Sequence, residues 1–197
     1  MDRKLELNEI VKKRNLLNHP FYQAWSMGTL SVEALQVYAR EYGAFIQTLP
    51  QGWLTLNDAE TAGEEKEHAE LWSHFSAGLN VKSGITEIEE TGALVDKART
   101  LFSSPSTALG ALYAFEIQQP ATAESKLDGL KKWYKLPDSA EEYFIVHTTN
   151  WHESEKILTQ INSLPLDEQE KALEACREFS EALWNGLTGI YNKACTS

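Results

Sequence analysis

Residues 105–134 read PSTALGALYAFEIQQPATAESKLDGLKKWY, a stretch whose apolar positions recur at the spacing of a helix and never alternate as a strand would. Ser104 followed by Pro105 fits a cap and a first helical position. Leu109, Leu112, Tyr113 and Glu116 lie on related turns, so Glu116 points inward among Tyr113, Ala114, Phe115 and Ile117, with Gln119 or Pro120 one turn on. A buried carboxylate without a partner is costly or takes up a proton. Pro120 lacks a backbone donor and its ring clashes with the preceding turn, which predicts a kink in a helix running from Pro105 to about Tyr134.

The same periodicity extends in both directions. Leu5 to Leu17 forms a short amphipathic opener closed by Asn18, His19 and Pro20. Ser31 caps a helix with Glu33 in its first turn, and Leu35, Tyr38, Tyr42, Phe45 and Ile46 keep helical spacing until Pro50. Asn57 with Glu60 reads as a capping box, opening a helix with Leu71, Trp72, Phe75 and Leu79 on one face and its end at Gly78 and Asn80. Similar boxes occur at Thr86 with Glu89, Asp138 with Glu141, and Asp167 with Glu170. The expectation is an all-α bundle of about seven helices, a single domain over residues 1–197, with six Trp supplying much of the core. No linker or repeat divides the chain, whose length is below the roughly 250 residues at which cores stop growing.

The net charge of -11 argues against a nucleic-acid partner, since Lys131, Lys132 and Lys135 alone supply no clustered positive field, and it disfavours anionic membranes. The start of the chain carries no apolar signal region, and no run approaches the roughly 20 apolar residues of a span. A cytoplasmic location follows as the expectation. Cys176 and Cys195, both late in the chain, make a disulfide framework improbable.

Several polar residues fall on apolar faces. Extending the stripe of Phe75 and Leu71/Trp72 backwards reaches His68, then Glu64 or Glu65. Phe144, His147, Trp151 and Leu158 keep helical spacing, which sets His147 on the core side. Glu and His on facing bundle helices are how carboxylate-bridged di-iron or di-manganese sites are built, and Glu65 to His68 has the i, i+3 spacing used there. The bland reading is a hydrogen-bonded core histidine and, for Glu64, Glu65 and Glu67, a solvated acidic face.

These residues carry a family resemblance. His19-Pro20-Phe21-Tyr22-Gln23-Ala24-Trp25 with Gly28 and Leu30 resembles the opening of the haem-oxygenase-like superfamily that includes TenA, the pyrroloquinoline-quinone synthesis protein C and CADD-like proteins. Tyr38-Ala39-Arg40-Glu41-Tyr42 resembles its second helix, and His68-Ala69-Glu70-Leu71-Trp72 with Phe75 and Leu79 its HxxLWxxFxxxL stretch. Tyr113-Ala114-Phe115-Glu116-Ile117-Gln118-Gln119-Pro120, with Lys126 and Gly129-Leu130, is similar to its YxxExQxPxxxxxKxxGL segment. The likeness spans roughly residues 15 to 160 and implies a seven-helix haem-oxygenase-like bundle.

In CADD-like members and related di-iron oxidases, the Glu of the last motif, the preceding His, a Glu before it and a later HxxxDxxH bind two metals. Carried over, the resemblance marks His68, Glu116 and His147 as ligands, with Glu64 or Glu65 as their partner, or Glu60 where a loop intervenes. Trp151 stands where the family has Asp, and Ser154 where it has His. His152 lies about 140° round an ideal helix from His147 and joins the site only through an irregular turn. One iron ion, two, and a metal-free pocket all fit these substitutions. CADD-like members that make a para-aminobenzoate moiety are thought to consume their own Tyr and Lys, near whose positions Tyr22 and Lys126 stand here.

The resemblance thus implies an iron-dependent oxidoreductase acting on a small organic molecule with O2 and an electron donor, with Glu41, Tyr38, Tyr42 and Tyr113 lining its pocket or filling the core. One alternative is a TenA-like thiamine-salvage hydrolase with a Cys nucleophile. Another is a non-catalytic small-molecule-binding or regulatory protein with a degenerate metal site. Family members are commonly dimers, and Phe179, Leu183, Trp184, Leu187 and Tyr191 on the last helix serve either a homodimer contact or the core.

Overall fold

Side-chain caps at Asp2, His19, Ser31 and Asp58 and first-turn prolines at Pro20, Pro50, Pro105 and Pro120 set most helix starts in the computed structural model, which describes residues 2–195. The chain runs through α1 (Arg3–Lys12), α2 (Pro20–Ser26), α3 (Val32–Ile46), α4 (Leu49–Thr55), α5 (Ala59–Gly78), α6 (Glu89–Leu101), α7 (Pro105–Glu116), α8 (Gln119–Trp133), α9 (Glu142–His147), α10 (His152–Ser163) and α11 (Leu166–Cys195). Two 3-10 turns, Leu16–Asn18 and Asp138–Ala140, complete the order, and the described residues contain no strand. Eight of these helices have ten residues or more, against the seven or so expected from periodicity. One cause is Pro120. It does not kink one long helix but separates two, sitting in the first turn of α8, where its missing donor costs nothing.

Several boundaries differ from the sequence reading for equally local reasons. The opener ends at Lys12, and His19 becomes a cap, its Nδ1 accepting from the Phe21 amide at 3.1 Å. Ser31 caps α3 as expected, yet α3 stops at Ile46 and Pro50 lies inside α4. Asp58, not Asn57, caps α5, accepting from the Thr61 amide at 3.2 Å, while Asn57 takes the left-handed conformation that ends the preceding turn. Thr86, Asp138 and Asp167 cap no helix: α6 starts after Ile88, Asp138 lies in a 3-10 turn, and Asp167 lies inside α11.

The long α11 packs along α7, α6 and α3, and α5 packs on α3, α4 and α9. Gly110 permits the tightest of these approaches, since a Cβ there would stand 1.9 Å from the Ala172 carbonyl oxygen on α11. Phe179, Leu183 and Leu187 are fully buried beneath this seam, so these residues of the expected dimer contact serve the core. Trp25, Trp53 and Trp72 fill the centre, whereas Trp133 and Trp151 are exposed, so three of the six Trp rather than all supply core volume. No helix among the described residues is long and apolar enough to cross a membrane.

Candidate metal centre

Four helices deliver acid and imidazole side chains to one interior region: Glu65 and His68 from α5, Glu116 from the end of α7, His147 from the end of α9, and Glu153 from the start of α10. Glu65, Glu116 and Glu153 are each only 1% exposed. One ligand atom from each of Glu65, His68 and His147 lies within 4.8 Å of the others, and the same holds for Glu65, Glu116 and Glu153. Glu65 belongs to both groups. Of the two glutamates the sequence left open, Glu65 therefore faces inward, while Glu64 is exposed and groups with His152 and Glu153 at the surface. Glu60 is exposed in the first turn of α5.

Hydrogen bonds fix the imidazoles. His147 Nδ1 lies 2.6 Å from the Tyr143 carbonyl oxygen, which only accepts, so Nδ1 carries the proton and Nε2 offers a lone pair. Burial, together with a nearby His68, holds its pKa down at about 3, so the ring is neutral, as a metal ligand must be. His68 Nδ1 sits 3.1 Å from Glu65 Oε1, and the two imidazole rings meet edge to face at 4.4 Å. Burial disfavours charge on His68, but Glu65, Glu153 and Glu64 outweigh it and leave its pKa above the ordinary value.

The carboxylates are strained without a cation. Glu65 Oε2, Glu116 Oε1 and both oxygens of Glu153 are buried with no hydrogen-bond partner. Burial first, then the neighbouring carboxylates, push the Glu116 pKa well above its normal range, and burial raises that of Glu65 despite His68. Glu116 also closes α7 at its C-terminal end, where the helix dipole repels negative charge. Such a group resolves itself by taking up a proton or by binding a positive ion. Ligand atoms sharing one ion at about 2.1 Å lie within about 4.2 Å of each other, so an ion need draw each trio together only slightly. The donor set fits a metal centre on these grounds, and carboxylates with two imidazoles suit iron or manganese.

The helical spacing of His147, Trp151 and Leu158 hides Glu153, since it treats two helices as one. The chain instead breaks over residues 148–151, and α10 restarts at His152. Trp151 consequently faces solvent, 49% exposed, and Ser154 spends its hydroxyl on the Trp151 carbonyl, so neither family ligand position reaches the interior as a donor. The stripe Glu153, Ile157, Ile161, at spacings of four, was the available signal.

The model of a family described as iron-containing redox enzymes matches residues 34–184. The chain belongs to this family. A relative from Nitrosomonas europaea named 4-aminobenzoate synthase is 31% identical, over 98% of this chain and 93% of its own, and one of that name from Chlamydia muridarum is 30% identical, over 96% and 90%. The fold is shared with a domain of unknown function from Shewanella denitrificans described as having a heme oxygenase-like fold (TM-score 0.78, 13% identity, 96% of this chain and 90% of that one). The bundle is thus haem-oxygenase-like.

Near the acidic cluster, close enough for Lys126 to help depress the His147 pKa, lies the Tyr22–Lys126 pair. Lys126 is 3% exposed, and its Nζ stands 4.9 Å from the centre of the Tyr22 ring and 3.4 Å from the Tyr38 hydroxyl, which is itself 3.0 Å from that of Tyr22. Gly129 makes this possible: a Cβ there would meet Trp25 at 2.5 Å, and Trp25 donates to the Lys126 carbonyl at 3.1 Å, clamping α2 onto α8. Burial lowers the Lys126 pKa to about 7. The TenA-like alternative is the lesser reading, because burial pushes the Cys176 thiol up to about 12 and burial also raises that of Cys195, which disfavours a thiolate nucleophile at either.

Tyr38 and Tyr42 stack at 5.0 Å beside this pair, while Tyr113 turns away and donates to Asn8 at 2.8 Å. Glu41 serves the fold. Its carboxylate accepts from the Glu87 and Ile88 amides at 3.1 and 3.3 Å and from the Thr91 hydroxyl at 2.6 Å, capping α6 from 46 or more residues away. Glu41→Ala is expected to lower stability by about 2 kcal/mol, roughly 4–8 °C in Tm, with bound metal per chain unchanged by elemental analysis.

Proposed function

We propose that the protein is an iron-dependent oxidase that makes 4-aminobenzoate from its own Tyr22 and Lys126, with Glu65, His68, Glu116, His147 and Glu153 holding two ions. The observation that carries this reading is the buried Lys126 amine over the Tyr22 ring, beside an acidic cluster that calls for cations. Three buried carboxylates exceed the charge of one divalent ion, whereas two ions would leave no net negative charge. Bound iron would supply the reductive activation of O2.

The chain's own residues account for the rest. The product has a carboxyl group and an amine at opposite ends of one ring. In tyrosine those ends carry the Cβ and the phenolic oxygen, so the Cα–Cβ bond must break, with Cβ oxidised to the carboxyl carbon. The ring C–O bond must give way to C–N with the oxygen leaving as water, and the Lys126 Cε–Nζ bond must break to release the nitrogen, with O2 as oxidant. Lys126 Nζ stands near that hydroxyl end, 3.4 Å from the hydroxyl to which Tyr22 hydrogen-bonds. With a pKa of about 7, much of the amine is uncharged and nucleophilic at neutral pH. Tyr22 is buried, its pKa raised by burial and by Tyr38, so it is held as a neutral phenol. Surface grooves of about 710 Å³ along α6 and α11 and about 770 Å³ along α8 share no residue with the cluster, as suits an enzyme whose reactants are side chains. Two cysteines without a disulfide suit the cytosol as its compartment.

The test is to load the metal-free protein with Fe(II), add O2 and a reductant, and analyse both solution and chain. The expected result is 4-aminobenzoate at no more than one equivalent per chain, with the mass of the Tyr22 peptide altered. Intact Tyr22 and Lys126 in protein that has released product would overturn the reading, as would iron content no greater than that of a boiled control.

A further inference from the structure

We propose that Glu64, His152 and Glu153 form a capture port through which a divalent transition metal passes from solvent into the buried centre; this rests on reading that centre as metal-binding. Two adjacent pairs build the port. On α5, Glu64 is exposed and Glu65 buried; at the start of α10, His152 is exposed and Glu153 buried. Each pair therefore places one donor at the surface and its chain neighbour in the acidic interior.

The donors form an unbroken series. Glu64, His152 and Glu153 offer ligand atoms within 4.8 Å of one another, as do Glu153, Glu65 and Glu116, and again Glu65, His68 and His147. Glu153 belongs to the first and second groups, Glu65 to the second and third. An ion moving inward would meet its next ligand before losing its last.

That continuity matters energetically, because a bare divalent ion crossing a low-dielectric interior pays a prohibitive desolvation penalty. Exchange through shared carboxylates keeps the charge neutralised at every stage. Exposed acidic and histidine groups commonly meet without binding anything; what distinguishes this one is Glu153. It is 1% exposed, and both its oxygens lack any hydrogen-bond partner. Its nearest partner is another carboxyl, Glu116, which it can meet only by sharing a proton, and its membership of both the outer and inner groups accounts for a carboxylate placed so. The net charge of -11 adds a field that draws cations to the surface.

The test compares wild-type protein with Glu64→Gln/His152→Gln, two exposed positions whose replacement leaves the packed core alone. Metal-free protein of each kind is mixed rapidly with Co(II), and the visible absorbance of the bound ion is followed to its end point. The expected result is an unchanged end point reached at least about tenfold more slowly in the variant, the low end of what local charge focusing confers on capture. Equal loading rates would overturn the port. A lowered end point would also overturn it, since Glu64 and His152 would then belong to the resident centre. Absence of Co(II) uptake by wild-type protein is a separate result that removes the centre itself, and the port with it.

Discussion

Glu65→Gln is expected to abolish binding of both proposed ions and, in the metal-free state, to make the protein more stable than wild type. Glu65 is the one side chain common to both buried trios, so losing its charge removes a donor from each. The amide keeps the volume, which avoids the cavity that Ala would leave. Without metal, Glu65 carries a burial penalty that the His68 contact only partly offsets, and its neighbours Glu153 and Glu64 add to it. A neutral side chain escapes that penalty, a gain of about 0.5–2 kcal/mol by the usual scale of such trade-offs between function and stability.

Wild-type protein should behave in the opposite way towards iron. Anaerobic Fe(II) at about one hundred times its Kd stabilises the folded state by about 2.7 kcal/mol, roughly 5–10 °C in Tm for a chain of this size. In Glu65→Gln that shift should vanish while the metal-free Tm rises. Equal iron-induced shifts in the two proteins, measured by scanning calorimetry, would remove Glu65 from the centre. The pH dependence has a definite sign. Glu65 and Glu116 have folded pKa values raised above 4.5, so the folded state keeps protons that the unfolded chain releases. Their contribution to metal-free stability is present at low pH and is lost as pH rises through those raised values.

The parts of this centre legible in the sequence are those that a single helix determines. His68 follows from the stripe of Trp72 and Phe75 on α5, and Glu116 from its apolar neighbours on α7. His147 follows from Phe144 three residues earlier, a spacing that a six-residue helix is long enough to preserve. Legibility ends where one helix does. Continuing the α9 phase past residue 147 assigned Trp151 to the core and overlooked Glu153, because the break at 148–151 resets the rotation by an amount no periodicity reveals. The sequence places Glu41 in a pocket or the core for a related reason. Its partners, the amides of Glu87 and Ile88, are brought to it by tertiary folding, while the nearer Thr86 supplies a plausible local cap that is not used. Tyr22 and Lys126 stand 104 positions apart in sequence, and only the α2–α8 contact permitted by Gly129 joins them.

Lys126→Met should eliminate 4-aminobenzoate formation while leaving iron content at the wild-type level, because the proposed function makes Lys126 the nitrogen source and no ligand of the centre. Met preserves the length of the side chain among the aromatic rings of Tyr22, Tyr38 and Phe144, so the fold should tolerate it. A merely structural lysine predicts something else: product formation reduced in proportion to any lost stability, and restored by Lys126→Arg. Arginine retains a charge over the rings but is protonated at every accessible pH, so as a nucleophile it should fail completely. The titration of Lys126 supplies a readout independent of activity. Its folded pKa, lowered by burial to about 7, lies below the ordinary 10.5, so between those values the unfolded chain binds the additional proton. Stability must therefore rise with pH across that window, and Lys126→Met should flatten the rise. Retention of both the slope and the product in Lys126→Met would show that the buried amine neither titrates nor reacts as the geometry requires.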